Sequence, residues 1–146
     1  MVTTETFPNI IGQDSAKRVL DFFCNGFKQT KVMPHLMFVA PKGCGKTTMA
    51  KAVAKRLKSI DSDKRFLEVN CSTIKNVKQF FNQLVIPSMQ DRDATILFDE
   101  CSEIPKDVTM ALLTILNPNP DNQTSFTFED YTVDFDFRRL SFMFAT

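Results

Sequence analysis

Eight consecutive residues, Ala40-Pro41-Lys42-Gly43-Cys44-Gly45-Lys46-Thr47, gather two glycines, two lysines and a threonine between an apolar run and a helical pattern. Gly43 and Gly45 permit backbone conformations closed to other residues. Their amides, with the N-terminus of the following helix, would point at a bound anion. Lys46 would reach the β- and γ-phosphates of a nucleotide, and Thr47 would hold Mg²⁺. Oriented N–H groups, a positive helix end and a lysine together form an anion nest. The candidate ATP-binding set is therefore Pro41, Lys42, Gly43, Cys44, Gly45, Lys46, Thr47 and Thr48. The pattern G-x-x-x-x-G-K-[ST] departs once, with Ala40 in place of the first glycine. Alanine is the smallest substitute and is tolerated there unless the position needs a positive φ. A bare glycine turn before a helix is the alternative, and the strand and helix patterns on either side argue against it.

A second constellation lies downstream. Residues 95–98 are an apolar-rich strand pattern, and two acids, Asp99 and Glu100, close it. In an open α/β sheet the carboxyl ends of the strands face the ligand crevice. Asp99 would help position Mg²⁺. Glu100 would orient and polarise an attacking water as general base. Alone, such a strand is equally an ordinary one capped by surface acids. Its place downstream of a phosphate loop gives the pattern its force.

The elements that must position these groups alternate between helical and strand periods, which argues for an α/β layer fold with a parallel sheet. Ala16, Val19, Leu20, Phe23 and Phe27 mark a first helix from near Asp14. Residues 35–40 (HLMFVA) read as a buried strand. Met49, Ala50, Val53, Ala54 and Leu57 mark the helix after the glycine loop, and residues 58–64 read as a polar loop. A strand at 66–70 (FLEVN) precedes an amphipathic helix marked by Val77, Phe80, Phe81 and Leu84. After the acid-tipped strand, Pro105 suits the first turn of a helix carrying Val108, Ala111, Leu112 and Ile115. Asn117-Pro118 stops it. From Phe126 to Phe137 the period becomes two, a β-hairpin with one apolar and one acidic face. Residues 140–145 (LSFMFA) form a last strand.

The 146 residues suit one domain, and 43% hydrophobic residues suffice for a core. A formal net charge of +1 creates no global field toward nucleic acid or membrane. Cys24, Cys44, Cys71 and Cys101 show no C-x-x-C spacing and His35 is the one histidine, so neither a zinc site nor a disulfide framework is expected. The first residues lack a signal-peptide pattern and no apolar run approaches a membrane span, so reduced thiols in the cytoplasm are expected.

Together these motifs resemble the AAA+ ATPases, and the resemblance covers nearly the whole chain. Phe7-Pro8-Asn9-Ile10-Ile11-Gly12-Gln13 is similar to the family's adenine-side box, which implies that Ile10 and Ile11 touch the base and Gly12 allows the turn. An N-terminal arm packing on the domain is the alternative. Residues 10–51 resemble the RuvB branch-migration motor and, less closely, clamp-loader subunits. Residues 111–146, with ALLTILNPNPDN and FMFAT, resemble the ATPase module of Lon protease. RuvB and Lon share the branch with a hairpin before the sensor strand. The implied architecture is a three-layer P-loop NTPase core with a hairpin insertion, residues 1–146 forming a nucleotide-binding domain that stops before a fifth strand, an arginine finger and a helical lid. The P-loop strand is then expected at a sheet edge. Thr146 is the implied sensor at the γ-phosphate, completing a catalytic set with Lys46 and Glu100.

The implied function is an ATP-hydrolysing motor, RuvB-like and acting on DNA, within a homo-oligomeric ring that is a hexamer by family analogy. A Lon-like protein-remodelling module, a clamp-loader-type subunit and a nucleotide-binding switch with little turnover are the alternatives. The acidic hairpin suits a protein partner better than DNA, whose phosphates would repel it. His35, Cys44 and Cys101 are read without catalytic duty. Arg138 and Arg139 are read as a solvated turn or, by analogy, a contact with a neighbouring subunit.

Overall fold

The computed structural model describes residues 14–39, 46–117 and 120–146. Among the described residues, six strands and five α-helices follow in the order α1 (Asp14–Thr30), β1 (Leu36–Phe38), α2 (Lys46–Ile60), β2 (Arg65–Asn70), α3 (Val77–Phe80), α4 (Ile86–Ser88), β3 (Ala94–Asp99), α5 (Lys106–Ile115), β4 (Gln123–Phe128), β5 (Tyr131–Asp136) and β6 (Leu140–Ala145). Four strands form a parallel sheet in the order β1-β6-β3-β2, and β4 and β5 form a separate antiparallel hairpin. Among the described residues β1 is a sheet edge, as expected, but it is not the buried strand its apolar run suggests: Met37 and Val39 are 57% and 73% exposed, because an edge strand is covered on fewer sides.

The central strands β3 and β6 are buried along nearly their whole length and mostly apolar, with Thr95 and Ser141 as buried polar exceptions, because both faces are covered. Ile96, Phe98, Phe142 and Phe144 face a core shared with α5 and with Val133 and Phe135 of the hairpin. Leu97, Met143 and Ala145 face the opposite core, shared with α1 and α2. Strand alternation thus splits two neighbouring strands between two layers. The first core is aromatic: Phe98 stacks on Phe144 at 5.0 Å between centroids and meets Phe142 edge-on at 5.9 Å. Truncating a fully buried ring such as Phe142 would cost about 3–5 kcal/mol.

Several elements depart from the expected pattern. In α1 the buried stripe holds Lys17, Leu20, Asp21, Cys24 and Phe27, while Ala16 is exposed and Val19 is 53% exposed. The face is rotated because α1 packs against α2 through a polar clamp. Arg56 donates to Asp21 at 3.3 Å and to Asn25 at 3.0 Å. A charge is tolerated there because it is paired. The helix after β2 continues to Ser88 through a π turn, Phe81–Val85. Pro87 lacks the N–H that an α-helical bond would need, and Ile86 N–H instead reaches the Phe81 carbonyl. That turn presents Phe81 to Phe126, Phe128 and Tyr131 of the hairpin at 5.6–6.1 Å. Strand β4 begins at Gln123, three residues before the apolar alternation is visible. Tyr131 is 45% exposed rather than packed inward, and its hydroxyl donates to Gln90 at 2.9 Å.

The expected polar loop 58–64 is also different. Helix α2 runs to Ile60, and Lys64 is 1% exposed. Its amine donates to the Arg139 carbonyl at 2.6 Å and lies over the Phe27 ring at 5.4 Å. The stem is buried and the ammonium is bonded, which is how a long cation enters a core.

Candidate functional site at the carboxyl edge of the sheet

Parallel register brings the strand tips to one edge. Asn70 pairs with Asp99, and Phe98 pairs with Phe144, so the acids of β3 stand between the tip of β2 and the tip of β6. Phe38 pairs with Ala145, and the Thr146 N–H donates to the Phe38 carbonyl at 3.2 Å. Thr146 is thereby held between the ends of β1 and β6. Helix α2 starts seven residues after β1, with Lys46 as its first residue. Thr47 and Thr48 lie in its first turn, half-buried and exposed respectively. Met49 and Ala50 share a buried cluster with Ala145, the last residue of β6. The helix start and the strand tips therefore belong to the same edge.

Asp99 is half-buried and Glu100 exposed. Glu100 adopts a left-handed backbone, φ 56° and ψ 49°. A non-glycine residue costs about 1–2 kcal/mol in that conformation. The Asp99 carboxylate offsets part of that cost, accepting the Glu100 N–H at 2.9 Å. Lys31, Asp91, Asn122 and Glu129 share the left-handed conformation, and Glu100 differs from them in carrying it beside Asp99 at the carboxyl edge of the parallel sheet. The turn that follows, Cys101–Glu103, redirects the chain into the start of α5.

Two further residues share this edge without having been singled out by sequence. Asn70 closes β2 beside Asp99, and its side-chain oxygen accepts the Ser72 N–H at 3.0 Å and the Ser72 hydroxyl at 2.8 Å. A polar residue ending one strand beside a strand ended by acids was the available signal. Cys71 is buried, and desolvation, with Cys101, Asp99 and Glu100 nearby, pushes its thiol up to about 12. Such a thiol is a poor nucleophile.

The residues expected at the adenine, Ile10, Ile11 and Gly12, and those of the glycine loop, 40–45, lie outside the described residues. Elsewhere, His35 keeps an exposed face but packs against Phe137 at 4.8 Å and Phe142 at 5.8 Å, and the desolvation of that side lowers its pKa. The turn reading of Arg138 and Arg139 needs correction for the second residue. Arg139 Nε donates to Asp93 at 2.9 Å and its guanidinium donates to the Asp91 carbonyl at 2.9 Å, so it is engaged within the chain.

Comparison with known proteins agrees with this geometry. The profile of the AAA family, the "ATPase family associated with various cellular activities", matches residues 36–133. Replication factor C small subunit of Natronomonas pharaonis is 31% identical over 123 residues, covering 81% of this chain and 36% of that protein. Lon protease of Endomicrobium trichonymphae is 27% identical over 147 aligned positions, covering 88% of this chain and 17% of that protein. The Holliday junction branch migration complex subunit RuvB of Phytoplasma mali is 41% identical over 54 residues, covering 36% and 16%. The chain thus spans about a third or less of the length of these relatives. A parallel α/β sheet, two acids at the tip of a central strand and a matching profile over two-thirds of the chain lead to one family: the chain belongs to the AAA ATPases.

Proposed function

We propose that the chain is the ATP-binding and ATP-hydrolysing module of a clamp-loader-type machine that acts on DNA as a ring-like multisubunit assembly. The observation that carries the catalytic part is the Asp99-Glu100 tip, where Glu100 is exposed in a left-handed backbone and its N–H is bonded to the Asp99 carboxylate. The 31% identity to a replication factor C small subunit over most of the chain supports the clamp-loader part.

In this reading the backbone of residues 40–45, with Lys46, Thr47 and Thr48, cradles the phosphates. Ile10, Ile11 and Gly12 flank the adenine. The Asp99 carboxylate and the Thr47 hydroxyl are hard oxygen donors, few in number. That suits Mg²⁺, which keeps several waters and takes one or two protein carboxylates beside substrate phosphates. Bound Mg²⁺ would neutralise charge on the phosphate oxygens. Glu100 accepts a proton from the attacking water, and its exposed position leaves it open to that water. Thr146, fixed by its backbone bond to β1, would sense the γ-phosphate.

A RuvB-like motor is the second reading. The hairpin β4-β5 just before β6, and 41% identity over 54 residues, favour it. Stimulation of turnover separates the readings: primer–template DNA for the first, branched DNA for the second, unfolded protein for a Lon-like module. The site itself is tested by Lys46→Ala, which should abolish ATP binding, and by Glu100→Gln, which should bind ATP without turning it over. Unchanged nucleotide affinity in the lysine variant would refute the assignment.

A further inference from the structure

Helix α2 carries five basic residues and no acid. Two of them have places already described: Lys46 opens the helix at the candidate nucleotide site, and Arg56 holds Asp21 and Asn25 of α1. The other three, Lys51, Lys55 and Lys58, are exposed and recur at i, i+4 and i+7, along one ridge of the helix. Met49, Ala50, Val53, Ala54 and Leu57 hold the opposite side against the sheet, so the ridge points to solvent. Lys51 meets Glu68 at 3.5 Å in an exposed, weak pair, which sets the ridge beside β2, an edge strand among the described residues. Lys55 and Lys58 have no ion pair among the described residues. Asp61, just past the helix end, accepts the Asp63 N–H at 3.2 Å.

The three lysines lie within about 10 Å of helix axis, about one Debye length at about 0.1 M salt, so they act on a partner together. What the helix lacks decides which partner they suit. It has no aromatic residue on which an unpaired base could stack. None of the exposed large apolar side chains among the described residues lies on it, so nothing there would enter a lipid surface. Lysines offer point charges rather than the planar fork that matches a carboxylate. A DNA duplex carries one phosphate charge per about 1.7 Å of its axis, so a ridge of this length meets several phosphates in any register. The hairpin, residues 123–137, covers the opposite face of the sheet and carries Glu129, Asp130, Asp134 and Asp136 and no base. That side is turned away from the same polyanion.

We infer that the Lys51-Lys55-Lys58 ridge of α2 binds the phosphate backbone of duplex DNA without reading its sequence. The inference deepens the DNA part of the function proposed above and rests on it for the choice of polyanion. A net charge of +1 gives the whole chain no pull toward nucleic acid, and segregation of charge across the sheet supplies one locally.

The test is fluorescence anisotropy of the full chain with a labelled duplex of arbitrary sequence, from about 50 mM to about 200 mM salt. Wild type should lose about 40-fold in affinity across that range, the dependence for about three phosphate contacts. Lys55→Gln with Lys58→Gln should flatten the log–log slope by about two and lower affinity by about tenfold or more at the low-salt end. Lys75→Gln with Lys78→Gln removes the same charge from exposed positions on the hairpin side of the sheet, and should bind like wild type. Circular dichroism checks that each variant is folded. Wild-type chain that ignores the duplex, a ridge variant with an unaltered slope, or equal losses in the two double variants would overturn the inference. So would binding to phosphatidylserine vesicles without binding to the duplex. ATP turnover keeps this result apart from the clamp-loader reading. Ridge-dependent binding without stimulation by primer–template DNA leaves the inference standing and sinks that reading. Stimulation with an unaltered slope in the ridge variant does the reverse.

Discussion

The two ends of the parallel sheet use charge in opposite ways. At the amino end, the Arg139 carbonyl accepts both the Ala94 N–H at 3.0 Å and the buried Lys64 amine, while its guanidinium holds Asp93 and the Asp91 carbonyl. Those groups are committed to one another and tie the turn before β6 to the loop before β2. At the carboxyl end, the Glu100 side chain is exposed, and its backbone adopts a costly conformation that the Asp99 carboxylate only partly offsets. Charge that closes on itself stabilises a fold, and charge left open at a strained turn is placed for a ligand. The amino end therefore reads as structural and the carboxyl end as chemical.

Substitutions at each end should break or sharpen that contrast. The largest effect belongs to Glu100→Gln. Turnover should fall by about 10³-fold, roughly 4 kcal/mol of barrier, while the melting temperature stays near wild type. A comparable loss of stability would erase the distinction between the ends.

Lys64 gives the next largest effect, and it is pH-dependent. Burial lowers its amine from 10.5 to about 8. Between those values the unfolded chain binds the additional proton, so stability rises with pH across that window. Relative to Lys64→Met, the wild-type chain should gain up to ~3 kcal/mol between about pH 8 and pH 10.5. Denaturation curves of both proteins across that range measure it, and a flat difference would mean that the amine is solvated. Nucleotide affinity should not follow.

Arg139→Met removes a half-exposed ion pair and one bond to a carbonyl, so it should cost only ~1 kcal/mol in chemical denaturation. Its ATP turnover should match wild type. The smallest effect is the most diagnostic. Glu100→Gly relieves the left-handed backbone at some cost in unfolded-chain entropy, so stability should rise by ~0.5–1 kcal/mol while turnover is lost. A destabilised glycine variant would mean that Glu100 holds the fold together rather than storing strain there.

Much of the architecture was legible because periodicity is a local property. The acid-tipped strand, the helix after the glycine loop and the alternation from Phe126 to Phe137 announced themselves through spacing, and each forms, although α2 runs on to Ile60 and β4 begins at Gln123. What failed depended on neighbours. The face of α1 was misjudged because Val19 is apolar, yet Arg56 on α2 offers Asp21 a partner that no local pattern encodes. Lys64 closes a run whose composition reads as a polar loop, because lysines are usually exposed, and the Arg139 carbonyl, far along the chain, permits its burial.

The amino-acid sequence by itself determined the chemistry on offer: a run with the phosphate-loop pattern, two adjacent acids and an α/β alternation, each written in a short local stretch. Tertiary structure decided which groups meet. Register between strands distant in sequence put Asn70 beside Asp99 and Thr146 beside Phe38, and the order β1-β6-β3-β2 gathered those tips on one edge. Pairing across long separations depends on both surfaces at once, and no window of sequence contains both.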